Sequence, residues 1–416
     1  MDGPAIGRLR TRLGSPRLRL GVVVWAVLVS QVLLYPGLDG LIVALGAPGE
    51  IRAGMWFLVA EFGAFVAFAV VWGAASDALG RRTPLVVAGA IGGAASYLLL
   101  ASLPTLGVGF RGALLVRLLG GAFTIGAFSL GITMLMDLSG GNGRNMGAAG
   151  IAIGLGAAIG SVTGGQLSAI DPVGPVYAGA AVLAAAGLLA ATVSDTIAEA
   201  DDAAPQPAAD RRDLGAAIET LRSTPSLGVP FAFGFIDRLT AGFFSLVGVF
   251  YFGDVFDLDA AGVGIALALF FFPFALLQYP LGSLSDRIGR FLPVVAGSIG
   301  YGLTIIAVGL ATTVELAMGL MVLVGVAGAF VAPATMALVT DLVDPGERGV
   351  AMGGFNVFGS LGFLSGFLIG GVVGSSTDYL TAFLVVGGLE IAIAVIALPA
   401  VRRLATAGQQ SVSTAD

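Results

Sequence analysis

Five ionisable side chains lie inside long apolar stretches of this chain: Glu61, Arg117, Asp237, Arg238 and Glu390. A charge held away from water costs on the order of several kcal/mol, so each must be paired, exchange a proton or meet a charged ligand. The residue types limit the chemistry further. The chain has no Cys and no His, and its 20 basic residues are all Arg. That removes thiolate and imidazole metal ligands, a Cys nucleophile and a His base. It also removes a lysine for ATP phosphates or a Schiff base. Carboxyl and guanidinium chemistry remains: proton binding, ion pairing and recognition of a charged solute. No metal or cofactor is expected, and no enzymatic reaction.

Spacing sorts the five. Glu61 precedes Asp77 by 16 residues, about 24 Å at helical rise. Arg117 precedes Asp137 by 20 residues, so the two sit at similar depth and can form an ion pair. Asp237 and Arg238 are neighbours in sequence, about 100° apart on a helix, and cannot share a face. One is expected to face a cavity and the other a packed helix. Glu390 stands alone in its stretch and is the weaker candidate. Gln31, Tyr35, Gln278, Tyr279 and Asn356 are polar residues at middle depth and candidates for solute contact. Phe243, Phe244, Phe270, Phe271, Phe272 and Phe274 are expected mostly to pack or face lipid, some forming an apolar wall.

The elements that must position these groups are apolar and long. The chain is 57% hydrophobic and 11% charged, too little charge for a soluble domain of this size. Twelve apolar runs lie near 20–45, 54–76, 84–103, 108–136, 146–168, 174–194, 228–252, 260–281, 292–312, 315–340, 352–373 and 379–401. Each is about 20 residues or longer, the length of a membrane-crossing helix. They are continuous rather than alternating, so an all-α membrane protein is expected, not a β-barrel. Residues 196–227 separate six runs from six, with Asp201, Asp202, Pro205 and Pro207 ahead of a short amphipathic pattern between Arg211 and Arg222. The expected units are a bundle over 1–195, a cytoplasmic linker and a bundle over 228–416. With both termini in the cytoplasm, 16 of the 20 arginines fall on that side, the usual basic bias.

A polar motif is written twice. Gly73, Ser76, Asp77, Gly80, Arg81 and Pro84 recur 209 residues later as Gly282, Ser285, Asp286, Gly289, Arg290 and Pro293. Gly147, Gly156, Gly160, Gly164 and Gly165 recur 206 residues later as Gly353, Gly362, Gly366, Gly370 and Gly371. Two parallel repeats within a membrane chain point to transport. Gly73 and Gly282 are expected to admit a neighbouring helix closely. Asp77 and Asp286 are expected to pair with Arg81 and Arg290 or to face a helix N-terminus.

These residues resemble those of the major facilitator superfamily. The run from Gly73 to Arg82 resembles its motif A, as does the copy from Gly282 to Arg290, with Arg287 after Asp286. Arg117 with Gly120 and Gly121 resembles the arginine motif of its fourth span. The glycines of the fifth run resemble motif C, found chiefly in antiporters. Ala78 stands where motif A has an arginine, and Ser161 where motif C has a proline. Val324 marks where the half-repeat would place a second arginine.

The resemblance implies twelve helices in two six-helix bundles and transport by alternating access. It also implies a latch of the outward-facing state at Gly73, Asp77, Gly80, Arg81, Arg82, Gly282, Asp286, Arg287, Gly289 and Arg290, and a cavity lined by spans 1, 4, 7 and 10. The reading is a multi-pass cell-membrane exporter of apolar or amphipathic compounds, coupled to protons and acting as a monomer, with no nucleic-acid partner. The alternatives are a symporter or uniporter for a sugar or organic anion, and a non-transporting receptor or assembly protein.

Overall fold

The computed structural model describes residues 15–138, 142–195, 214–344 and 347–413. Arg8, Arg10, Arg12, Arg211, Arg212 and the acidic, proline-containing part of the linker lie outside them. The helices are α1 (Pro16–Val32), α2 (Leu38–Ala44), α3 (Ile51–Leu79), α4 (Thr83–Leu106), α5 (Phe110–Asp137), α6 (Asn142–Ile170), α7 (Gly174–Ala190) and α8 (Leu214–Ser223). They continue as α9 (Gly228–Phe243), α10 (Val249–Phe256), α11 (Ala260–Ile288), α12 (Gly297–Gly309), α13 (Val314–Asp341), α14 (Arg348–Ser376) and α15 (Tyr379–Ser413). No strand occurs among the described residues. Ten helical segments are long and apolar enough to cross a bilayer, and α7 is a shorter apolar helix. The chain divides into two compact units, Met1–Ala47 with Ala60–Gln206 and Pro48–Val59 with Pro207–Asp416.

Three of the expected spans are not single α-helices; the ninth opens with a π-helical turn, Leu292–Ala296, ahead of α12. The first apolar run is not one helix: α1 stops and α2 starts after a turn over 33–37. Pro36 has no N–H to donate, and the local bonds tighten to three-residue steps, Leu34 N to Gln31 O at 3.3 Å and Tyr35 N to Val32 O at 3.1 Å. In the seventh run α9 passes into α10 through a π-helical turn, Phe244–Gly248, where each N–H reaches one residue further back.

Small residues bring the helices together, since lipid gives apolar faces little reason to associate. On α6, the missing Cβ atoms of Gly156 and Gly160 would stand 3.4 Å from Trp25 O and 3.3 Å from Val29 O of α1. On α14, those of Gly362 and Gly366 would overlap the carbonyls of Phe235 and Leu239 on α9. The repeated glycine ladder therefore makes one equivalent helix pair in each unit. Phe243, Phe244 and Phe270 are buried in the second unit rather than facing lipid. Phe243 and Phe244 pack on Phe383, whose ring centroid is 5.0 Å from that of Phe243, and Phe270 packs on Phe244. Phe272 alone of the six is largely exposed, at 51%.

Candidate coupling sites

In the first unit Arg117 donates through Nη2 to Glu61 Oε2. Exposures of 1% and 3% put both deep in the helices. Glycine makes the meeting possible. Gly121 lies one turn after Arg117, and a Cβ there would overlap the Glu61 carbonyl, so α3 and α5 touch backbone to backbone. Tyr97 of α4 completes the group. Its hydroxyl is 3.2 Å from Glu61 Oε1 and 3.1 Å from the Ser30 carbonyl. Its ring lies 5.5 Å from the guanidinium carbon of Arg117, within cation–π range. Gln31 and Tyr35 are each 4% exposed, and the Gln31 Nε2 has no hydrogen-bond partner among the described residues. The cluster is neutral as a whole: one carboxylate, one guanidinium.

The second unit holds a different centre. Asp237 on α9 and Glu390 on α15 are 6% and 0% exposed. They lie within electrostatic reach of each other and of Tyr301 on α12. Glu390 faces the hydroxyls of Ser298 and Thr240. Even so, both Glu390 oxygens, Asp237 Oδ1 and Ser298 Oγ make no well-formed hydrogen bond. Arg238 points elsewhere: its Cγ lies 3.2 Å from where a Gly359 Cβ on α14 would stand. Of this neighbouring pair, the aspartate is the buried member and the arginine the partly exposed one. Gln278 and Asn356 are half-buried, while Tyr279 is 86% exposed.

Helix ends align the two units. α3 and α11 are both 29 residues long, and α5 and α13 both 28. This pairs Glu61 with Phe270 and Arg117 with Met321, three residues before Val324, the position expected of the counterpart from the half-repeat. Glycine contacts agree: Gly325, four residues after Met321, would overlap the Phe270 carbonyl with a Cβ, as Gly121 would that of Glu61. The second unit has thus replaced the ion pair by an apolar pair and carries its carboxyls on other helices.

The duplicated turns also differ. Gly80 and Gly289 end α3 and α11 at positive φ, 61° and 85°, a conformation that glycine adopts at little cost. In the second copy, Arg290 reaches Asp286 at 2.6 Å, Ser285 at 2.7 Å and Asp341 at 3.1 Å. Partial burial works against its charge, but the hydrogen bonds to Asp286 and Asp341 outweigh that and raise its pKa. In the first copy Arg82, not Arg81, binds Asp137, the counterpart of Asp341. Arg81 is 66% exposed and 4.0 Å from Asp195. Asp77 and Arg287 are exposed, and Asp77 forms no ion pair among the described residues. The expected Asp77–Arg81 pair is therefore not formed. Close approach holds at Gly282, where a Cβ would meet Pro333 at 3.3 Å, but not at Gly73, with nothing described within 4 Å.

The sequence pattern of the Major Facilitator Superfamily matches residues 20–256 and again 231–414. The chain belongs to this superfamily. A class C tetracycline resistance protein from Escherichia coli is 27% identical over 339 residues, 80% of this chain and 83% of that one. A class G tetracycline resistance protein from Vibrio anguillarum is 27% identical over 302 residues, 72% and 75% of the two chains. The crystal structure of the nucleoside transporter NupG shares the fold, with a TM-score of 0.72 at 16% identity over 93% of this chain and 99% of that one. The chain is thus a multi-pass membrane protein of a transporter superfamily.

Tyr97, Ser30, Tyr301, Ser298 and Thr240 escaped the sequence reading. Four of them stand beside a charged group, and Ser30 beside Tyr97, through helices from distant parts of the chain that glycines bring together. The signal was present in Gly120-Gly121, Gly302 and Gly387. Asp137 and Asp341 also carried one, as acids at the ends of helices of equal length.

Proposed function

We propose that this chain is a proton-coupled exporter of small apolar or amphipathic compounds, working as a monomer by alternating access. Its two termini lie in the cytoplasm, in keeping with the arginine bias. The observation that carries the reading is the contrast between the two charged centres. Glu61 is neutralised by Arg117, whereas Asp237 and Glu390 are buried and form no ion pair among the described residues. Deep carboxyls of the second kind are suited to exchange protons during a cycle. The relatives supply the substrate class, being tetracycline and multidrug resistance proteins by description. The turns around Asp77, Arg81 and Arg82 and around Asp286, Arg287 and Arg290 act in this reading as latches of cytoplasmic closure. Protonation then shifts the balance between states.

The test is uptake of tetracycline into everted vesicles under an imposed pH gradient. Uptake that a protonophore abolishes is expected. Uptake indifferent to the gradient overturns the proton coupling, and no uptake of any amphipathic compound overturns the exporter reading.

A further inference from the structure

The second half of α15 has two unlike faces. Ala394 and Val401 turn inward and pack with Phe233 of α9, Val294 and Val295 of the π-helical turn and Ala334 of α13, and Ala397 packs against the same cluster. Ala392, Val395, Ile396, Pro399, Arg402 and Arg403 are exposed. They are spaced at i, i+3, i+4, i+7, i+10 and i+11, so they form one stripe opposite the packed face. The first four are apolar, with Val395 54% and Ile396 76% exposed. The last two are arginines. α15 carries no acid after Glu390 to draw them away along their own helix.

Depth puts the change from apolar to basic at a membrane surface. Asp378 lies just ahead of α15, outside the membrane. Arg402 follows it by 24 residues, about 36 Å at helical rise. The hydrocarbon core is about 30 Å thick, so both guanidinium groups fall in the opposite headgroup layer. The stripe above them lies along the core.

The face is also hollow at this level. Pro399 has no N–H for the Val395 carbonyl, and its ring presses that carbonyl away. A cleft of about 360 Å³ lies here, lined by Leu398, Pro399, Arg402 and Arg403. Its walls are apolar toward the core and cationic toward the surface. A guanidinium offers forked donors to phosphate oxygens. A ligand that matches both walls is anionic at one end and apolar at the other.

We infer that this cleft is a binding site for an anionic phospholipid, with Arg402 and Arg403 holding the phosphate and Val395, Ile396 and Pro399 carrying an acyl chain. The site belongs to one unit and needs no part of the proposed efflux.

The experiment is lipid binding to the purified full chain in detergent, read by native mass spectrometry. The probes are phosphatidylglycerol, phosphatidylcholine of the same acyl chains, and inorganic phosphate. Phosphatidylglycerol is expected to give one saturable adduct, about fivefold tighter or more than phosphatidylcholine. Arg402→Gln and Arg403→Gln should each weaken it about fivefold, and the double variant about thirtyfold. Arg111→Gln, which removes another exposed arginine at a helix end, should leave it unchanged. Equal affinity for the two lipids overturns the site, as does an equal loss in Arg111→Gln. Inorganic phosphate that displaces the lipid at equal concentration marks a free-anion site and overturns the lipid assignment. A lipid-free dimer that depends on Arg402 overturns it too. Should the double variant fail to fold, the single variants decide.

Discussion

Gly302 and Gly387 occupy each other's side-chain space. A Cβ on the first would stand 2.5 Å from the carbonyl oxygen of the second, and a Cβ on the second 2.6 Å from that of the first. This reciprocal notch sets the distance between α12 and α15 and with it the depth of Glu390.

Valine at position 387 should therefore force the two helices apart. Leaving glycine gains up to about 1 kcal/mol of helix propensity, but overpacking costs about 1–3 kcal/mol, and the overlap with a backbone carbonyl makes the second term win. Thermal unfolding in detergent should show a clear loss for Gly387→Val. Gly388→Val is the control, because a Cβ there meets nothing within 4 Å. Equal effects of the two would refute the notch.

The ion pair of the first unit gives a double-mutant test. Arg117→Met leaves Glu61 buried without its cation and should cost about 3–5 kcal/mol. Adding Glu61→Leu makes both positions apolar, as Phe270 and Met321 are at the equivalent places of the other unit. The double variant should recover much of the loss, because breaking a buried pair is worse than replacing it. A double variant less stable than Arg117→Met would show that Tyr97 and Ser30 need the charge.

The two motif arginines should differ in weight. Arg290 makes hydrogen bonds to two carboxylates and a hydroxyl, and its side chain is 19% exposed. Arg290→Gln should destabilise by about 1.5–3 kcal/mol, the range for hydrogen bonds to charged groups. Arg81 is 66% exposed with one partner at 4.0 Å, so Arg81→Gln should cost about 0–1 kcal/mol. Unfolding of the two single variants side by side checks the order.

Asp378 offers a pH dependence outside the membrane. The backbone N–H and the hydroxyl of Thr381 each donate to its carboxylate, at 2.8 Å in both cases, and hold its pKa below the ordinary aspartate value. A depressed pKa contributes stability that is complete above the unfolded-state value, about 3.9, and is lost as pH falls through the folded-state value. Asp378→Ala should be less stable than the wild type at neutral pH, with the difference closing in acid. A difference constant with pH would assign the effect to helix propensity instead.

Much of the architecture could be read before any coordinates. The apolar runs rest on local composition and length, and they give the helices. The charged centres were only partly legible. Glu61 and Arg117 could be matched by depth because each can be counted back from an acid near a helix end, Asp77 and Asp137. The setting of Glu390 could not be read, since it depends on Gly302 and Gly387, and no local pattern says which of many glycines face each other. Arg82 in place of Arg81 is a matter of side-chain direction beyond a glycine turn, which spacing does not encode.

The interrupted spans have a mechanical meaning. The turn over 33–37 and the π segment Phe244–Gly248 fall 211 residues apart, matching the 210-residue step from Val29 to Leu239 set by the glycine contacts. Each half thus weakens its own first rod at the same depth, one with a proline and the other with a wide turn. Regular helical bonds are fewer across both seams, so bending stiffness drops there and load on either rod concentrates at that level. The duplication has kept a fold line, not the residues that make it.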